Sequence, residues 1–219
     1  MHNIIQNLIY IEEEVKSKIK DLNIIRIPKI IAVSKTFTID RILPLIDYGH
    51  IDYGENKVLE AIEKWTQVKV KNKKIKLHLV GKLQTNKVKL AIKIFDYIHS
   101  VDSEKLATKI AMEEKKQNKK IKIFIQINIG KEEQKLGIKK EQVLSFYNFC
   151  KELGLDVVGT MCIPPKESNS QNYFSELNKI NEELNLPDLS MGMSEDYLLA
   201  TENNATFLRI GSKIFGQRD

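Results

Sequence analysis

The chain's 219 residues suit one sizeable domain or two small ones, and its 42% hydrophobic content is ample for a buried core. No stretch approaches the roughly 20 apolar residues of a membrane span, Met1-His2-Asn3-Ile4 lacks the basic and apolar blocks of a secretory signal, and neither the two cysteines (Cys150, Cys162) nor the four histidines (His2, His50, His78, His99) have metal-ligand spacing. The net charge of +6 invites a nucleic-acid reading, but the basic run at 69–76 carries no aromatic to stack on a base and the run at 113–120 mixes signs; the expectation is a cytoplasmic protein with a solvated cationic surface and with neither metal, nucleic acid nor membrane as a partner.

From the amino terminus, Ile4, Ile5, Leu8, Ile11, Val15 and Ile19 draw a helical stripe over 3–23. A branched apolar run at 30–33 predicts a buried strand that ends on Ser34-Lys35. Residues 38–48 read as a helix capped by Thr38 and stopped at Gly49, although Pro44 argues for a kink or a late start. A short strand at 51–54 and a helix at 58–65 follow. The alternation continues with strands at 77–80, 97–98, 121–127, 157–161, near Leu189 and at 207–209, and with helices at 86–94, 104–118, 141–153, 171–184 and 196–202. A turn at 212–215 closes the chain.

About eight strand–helix units after one leading helix is the count of a (β/α)8 TIM barrel. An open doubly wound sheet is disfavoured because no first strand–helix turn carries Gly-x-Gly-x-x-Gly. The loop-like stretch at 164–170 lies between a strand and a helix, so no linker is predicted. The expectation is one α/β domain over 1–219, with 1–28 as a leading helix packed on the barrel.

In such a barrel the loops at the carboxyl ends of the strands build the active face. Ser34-Lys35, Gly54-Glu55-Asn56, the run at 81–86, Asn128, Ile163-Pro164, the run at 190–194, and Arg209 with Gly211-Ser212 all fall there. Ser190-Met191-Gly192 and Gly211-Ser212 are small residues before helix starts, a pattern that attracts anions, and loops seven and eight of barrels often hold phosphate. Lys35 reads either as a lysine snorkelling out of the barrel mouth or as an amine able to attack an aldehyde. Opposite a phosphate site, the economical ligand is a phosphorylated aldehyde.

These segments, Ala32-Val33-Ser34-Lys35-Thr36, Tyr53-Gly54-Glu55-Asn56, His78-Leu79-Val80-Gly81-x-Leu83-Gln84-x-Asn86-Lys87, Gln126-Ile127-Asn128 with Lys135-x-Gly137, Leu189-Ser190-Met191-Gly192-Met193-Ser194 and Arg209-Ile210-Gly211-Ser212-x-Ile214-Phe215-Gly216, closely resemble the pyridoxal phosphate homeostasis protein family, single-domain relatives of the alanine racemase barrel. The resemblance implies pyridoxal 5′-phosphate as cofactor, held as an internal aldimine (Schiff base) on Lys35. It implies Ser190, Gly211 and Ser212 at the phosphate, Arg209 at the pyridine nitrogen, and Asn56, Met191 and Ile163 along the ring or beside the phosphate. It departs from the family pattern at Ser212 (usually threonine), Tyr53 (often phenylalanine) and Cys162 (often alanine). His78 reads as a pocket residue or a satisfied core histidine.

The resemblance further implies a monomeric carrier that buffers the cofactor or delivers it to apo-enzymes, without a catalytic cycle. An arginine at the ring nitrogen makes a poor electron sink, and the chain stops before the second domain that racemases carry. The alternative is a small amino-acid racemase or lyase that uses Lys35 with a tyrosine such as Tyr53.

Overall fold

A computed structural model describes residues 3–22, 24, 26–130, 136–165 and 170–217. Met1, His2, Asn23, Lys135, 166–169, Arg218 and Asp219, named above, lie outside the described residues. Eight parallel strands close into a barrel in which each strand pairs with the next and the eighth pairs with the first. They are β1 (Lys29–Val33), β2 (Asp52–Glu55), β3 (Lys76–Leu79), β4 (Tyr97–Val101), β5 (Lys122–Gln126), β6 (Asp156–Met161), β7 (Asp188–Ser190) and β8 (Phe207–Ile210). Helices α1 (Asn3–Leu22), α2 (Ile39–Tyr48), α3 (Val58–Lys71), α4 (Val88–Ile94), α5 (Glu104–Gln117), α6 (Val143–Glu152), α7 (Ser170–Glu183), α8 (Tyr197–Glu202) and α9 (Ser212–Phe215) complete the order. The barrel with a leading helix is therefore as expected.

Differences from the sequence reading have local causes. Helix α2 starts at Ile39 despite Pro44, whose position in the second turn forfeits one backbone bond while buried Ile42 and Leu45 hold the segment to the core. At its other end Gly49 takes the left-handed conformation (φ 100°) and returns its N–H to the last turn. Helix α3 runs on to Lys71. Helices α4 and α6 are each entered through a 3-10 turn, Thr85–Lys87 and Lys140–Gln142. Strand β4 extends through His99 and Ser100, whose polarity hid it: the Ser100 hydroxyl donates to the Gly81 carbonyl (2.7 Å) and His99 faces inward.

Alternation along the strands sorts side chains into two layers. Ile30, Ala32, Leu77, Ile98, Ile123, Leu208 and Ile210 face the helices and join the large apolar shell. Ile31, Val33, Tyr97, Phe124, Val158, Met161 and Phe207 fill the barrel interior. His78 and His99 share that interior, stacked on Tyr97 (4.4 Å between centroids) and Phe124 (4.2 Å) respectively. His78 is thus a core residue.

Helix α1 packs on α2, α8 and α9, covering the place where four-residue α9 is too short to act as the eighth outer helix. Its apolar stripe Ile4, Leu8, Ile11, Val15 and Ile19 is buried, the Asn7 amide donates to the Ile214 carbonyl (3.0 Å), and Lys18 pairs with Glu202 (2.7 Å). The lysine-rich segments serve the opposite rim: Lys69 pairs with Asp96 (2.5 Å), and Lys119 and Lys120 donate to the Phe95 and Gly154 carbonyls.

Burial lowers the proton affinity of both His78 and His99, against the Asp52 hydrogen bond in the first case and with His78 and Arg209 adding repulsion in the second. A histidine whose folded pKa is depressed contributes stability that is complete above its unfolded value, about 6.5, and is lost as pH falls from there towards the folded value. Unfolding free energy should therefore drop as pH falls from 7 to 5, by up to about 1.4 kcal/mol per pH unit for each ring that stays neutral in the fold. Urea midpoints across that range check it; a flat profile would mean that the rings bind protons in the fold as they do in the unfolded chain.

Candidate functional site

Continuing the inward parity of Ile31 and Val33 beyond the end of β1 brings Lys35 to the mouth of the barrel. On the neighbouring strand β8, in register Ile31↔Arg209, Arg209 follows Phe207 with the same parity. Both line one cavity of about 550 Å3 at the carboxyl ends of the strands, with Asn56, Ile163, Gly211 and Ser212. Val33, Phe37, Val80 and Met193 supply apolar walls, and Ser194 and Glu195 polar ones.

The loop carrying Lys35 is clamped on both sides. Ser34 donates to Glu55 Oε1 (2.8 Å), Lys64 Nζ donates to the Ser34 carbonyl (2.9 Å), and the Thr36 N–H donates to Glu60 Oε1 (2.6 Å). Thr36 has φ 70°, a costly conformation for a β-branched residue, so the Glu60 contact holds a strained turn at the site. Glu55 Oε1 also accepts from Lys64 (2.9 Å) and the Trp65 indole (2.9 Å), whereas its buried Oε2 has no hydrogen-bond partner. Burial raises the Glu55 carboxyl pKa despite these donors.

Asn56 is placed by close approach: a Cβ on Gly81 would lie 2.5 Å from the Asn56 carbonyl oxygen, so the loop that leaves β3 can pass here only as glycine. Opposite, Arg209 is 5% exposed; its guanidinium donates to the Ser190 hydroxyl (2.8 Å) and the Cys162 carbonyl (2.8 Å). Burial lowers its pKa from an ordinary value so high that it stays a cation near neutrality.

Ser190 and Met191 are not on the cavity wall. Both are fully buried, and the Ser190 hydroxyl is occupied by Arg209 and by His99 Nδ1 (2.8 Å). The reason is parity: Ser190 is the last residue of β7 and points into the barrel. Sequence reading passed over Ser194 in the same motif, whose hydroxyl lines the cavity and accepts from the Lys213 N–H that opens α9 (3.4 Å). The start of α9 as the partner loop was the signal that could have found it. Tyr53 is buried against Trp65, its hydroxyl donating to the His50 carbonyl (3.1 Å), and does not line the cavity. Asn128 is held in the backbone bridge to Ile138 and does not line it either. Among the described residues there is no cluster of His, Cys, Asp and Glu able to hold a metal and no helix long and apolar enough to cross a membrane.

The donor set suits a phosphorylated aromatic aldehyde. The cavity lies in the volume range of small-molecule sites, with one amine, one guanidinium, two hydroxyls beside the amides of 211–212, and apolar walls on either side.

Comparison with known proteins agrees with this chemistry. The alanine racemase N-terminal domain family matches residues 14–219. The chain is 36% identical over 200 residues to the pyridoxal phosphate homeostasis protein of Aquifex aeolicus, covering 87% of each. The structure of PipY from Synechococcus elongatus with PLP bound superposes with a TM-score of 0.80 at 30% identity, over 92% of this chain and all of that one. Alanine racemase of Clostridium difficile shares the fold (TM-score 0.72, 16% identity), and this chain spans 57% of its length.

The clamp generates a prediction. Lys64→Met strands the Glu55 carboxylate in the core and should cost about 3–5 kcal/mol, whereas the Glu55→Gln/Lys64→Met pair should recover much of that loss. Chemical denaturation of the two variants checks it.

Proposed function

Because this chain belongs to the pyridoxal phosphate homeostasis protein family, within the alanine racemase N-terminal domain family, we propose that it binds pyridoxal 5′-phosphate and buffers or delivers it. One observation carries the reading: Lys35 and the 209–212 segment, from opposite ends of the sequence, line one cavity at the barrel mouth. The bound cofactor supplies an aldehyde that an amine can take and a pyridine ring that can draw electrons.

Most of the named residues have a task in this reading. Lys35 offers the amine. The Ser212 and Ser194 hydroxyls, with the amides at 211–212, hold the phosphate; Ser190 is reassigned from the phosphate to Arg209. Asn56 and Ile163 flank the ring, whereas Met191 belongs to the apolar shell and has no direct part in this reading. Arg209 faces the ring nitrogen as a fixed donor and gives it no proton, which keeps the ring a weak electron sink and favours storage over turnover. The names of the relatives support the same choice over a racemase or lyase, as does the position of Tyr53 away from the cavity.

We further read 1–219 as one domain acting as a monomer in the cytoplasm, with apo-enzymes that use the cofactor as recipients. Cys150 and Cys162 are both free and buried, as suits a reducing compartment.

Wild-type protein loaded with pyridoxal phosphate should show a visible absorbance band and, after borohydride reduction, a modified peptide containing Lys35; Lys35→Ala should show neither. Modification of another lysine in the intact protein would refute the assignment.

Removing the Ser194 and Ser212 hydroxyls together should weaken pyridoxal phosphate at least tenfold more than unphosphorylated pyridoxal, since each charge-assisted hydrogen bond is worth about 1.5–3 kcal/mol. Dissociation constants for the two ligands, measured by absorbance titration, decide whether the phosphate sits there.

A storage role predicts negligible exchange of the α-hydrogen of L- or D-alanine in heavy water by the loaded protein. Rapid deuterium wash-in with inversion, followed by NMR, would make the chain an enzyme.

A further inference from the structure

Behind Arg209 the barrel interior carries a line of polar side chains, and of its members only Arg209 reaches the ligand cavity. It starts at Arg209, whose guanidinium donates to Ser190 Oγ (2.8 Å), and continues from Ser190 to His99 Nδ1 (2.8 Å), from His99 Nε2 to His78 Nδ1 (3.0 Å), and from His78 Nε2 to Asp52 Oδ1 (3.0 Å). It crosses from β8 through β7, β4 and β3 to β2. One end is at the cavity already described; the other is at the amino-terminal rim, where Asp52 lines a second cavity of about 250 Å3 with Glu12, Lys16, Lys29 and His50.

The chemistry of the two ends fixes the middle. A guanidinium can only donate and a carboxylate can only accept. With Ser190 accepting from Arg209, the single serine proton goes to His99 Nδ1. His99 then carries its proton on Nε2 and gives it to His78 Nδ1, and His78 carries its own on Nε2 and gives it to Asp52. This is the one arrangement that satisfies every link with both imidazoles neutral. The reverse direction, His99 donating back to Ser190, leaves His78 Nε2 facing Asp52 without a proton unless one more is added to the line. Stacking on Tyr97 and Phe124 keeps the two rings from rotating out of it.

We infer that Asp52, His78, His99 and Ser190 form a single proton-ordered line that positions Arg209 and links the amino-terminal rim of the barrel to the ligand cavity. Burial supports the neutral state of both rings, and the Asp52 carboxyl, pushed up by burial, is held below its ordinary value by His78 and Lys29. The four are positioning residues: their effect on a bound pyridine ring passes through Arg209. Only that second effect rests on the reading of the cavity as a pyridoxal phosphate site.

The order is measurable without ligand. Side-chain nitrogen–proton correlation spectra of the ligand-free protein at neutral pH should show both His78 and His99 as pure Nε2–H tautomers. Ser190→Ala should turn His99 into a tautomer mixture and also change His78, which does not touch residue 190, while Ser190→Thr should restore both. A Nδ1–H tautomer at either ring in the wild type overturns the inference, as does a His78 indifferent to Ser190→Ala; the wild-type spectrum alone suffices should the variant not fold. In loaded protein the visible band should shift in Ser190→Ala and return in Ser190→Thr, with covalent capture at Lys35 retained in both. An ordered line with no ligand capture would refute the cofactor reading and leave the line standing; capture with disordered tautomers would do the opposite.

Discussion

A permanent cation buried at the barrel mouth is the constraint on which the rest of the site depends. Taking an arginine out of water costs several kcal/mol, and a buried carboxylate partner would repay that cost while cancelling the charge. Here the hydrogen bonds go to neutral acceptors, the Ser190 hydroxyl and the Cys162 carbonyl; Asp196 attracts the cation without a hydrogen bond, and the carboxylate of the line is four links away at Asp52. The positive charge therefore stays directed at the cavity. The identity of β7's last residue, the tautomers of two histidines and an acid at the far rim all follow from keeping it there.

The second fixed point is Lys35. Arg209 is secured by hydrogen bonds from its own head group, and the backbone on both sides of Lys35 is secured as well, with Ser34 and Thr36 tied to Glu55 at the end of β2 and to Glu60 and Lys64 of α3. That arrangement fixes the root of the lysine at the mouth of the barrel, where its side chain lines the cavity. The Gly81 contact with Asn56 does the same for the adjoining wall.

Much of this was legible in the sequence because barrel strands impose a simple parity. Residues two apart share a face, so Lys35 follows Val33 and Arg209 follows Phe207, and residues from distant motifs meet at the mouth. The same rule, applied one step further, would have turned Ser190 inward and left Ser194 for the cavity; with the end of β7 set only near Leu189, it could not be applied. Strand β4 was cut short for a related reason. His99 and Ser100 look like the start of a loop when only apolar alternation is counted, and nothing in their spacing reveals that they complete a polar line inside the barrel. Pro44 misled because its cost is local, whereas the burial of Ile42 and Leu45 that outweighs it depends on the assembled barrel.

The pairing of β1 with β8 has a consequence for how the molecule acquires its site. Contacts between strands so far apart in sequence form only after the intervening chain has been ordered, and such topologies fold slowly and late. Lys35 and the 209–212 segment come together only with the closing of the ring, so no shorter stretch of the chain brings the two walls of the cavity together. A ligand that requires both walls recognises the closed barrel alone, and it stabilises that state by RT ln(1 + L/Kd), more as the free ligand concentration L rises above its dissociation constant Kd. Occupancy and survival of the fold are thereby the same equilibrium seen from two sides.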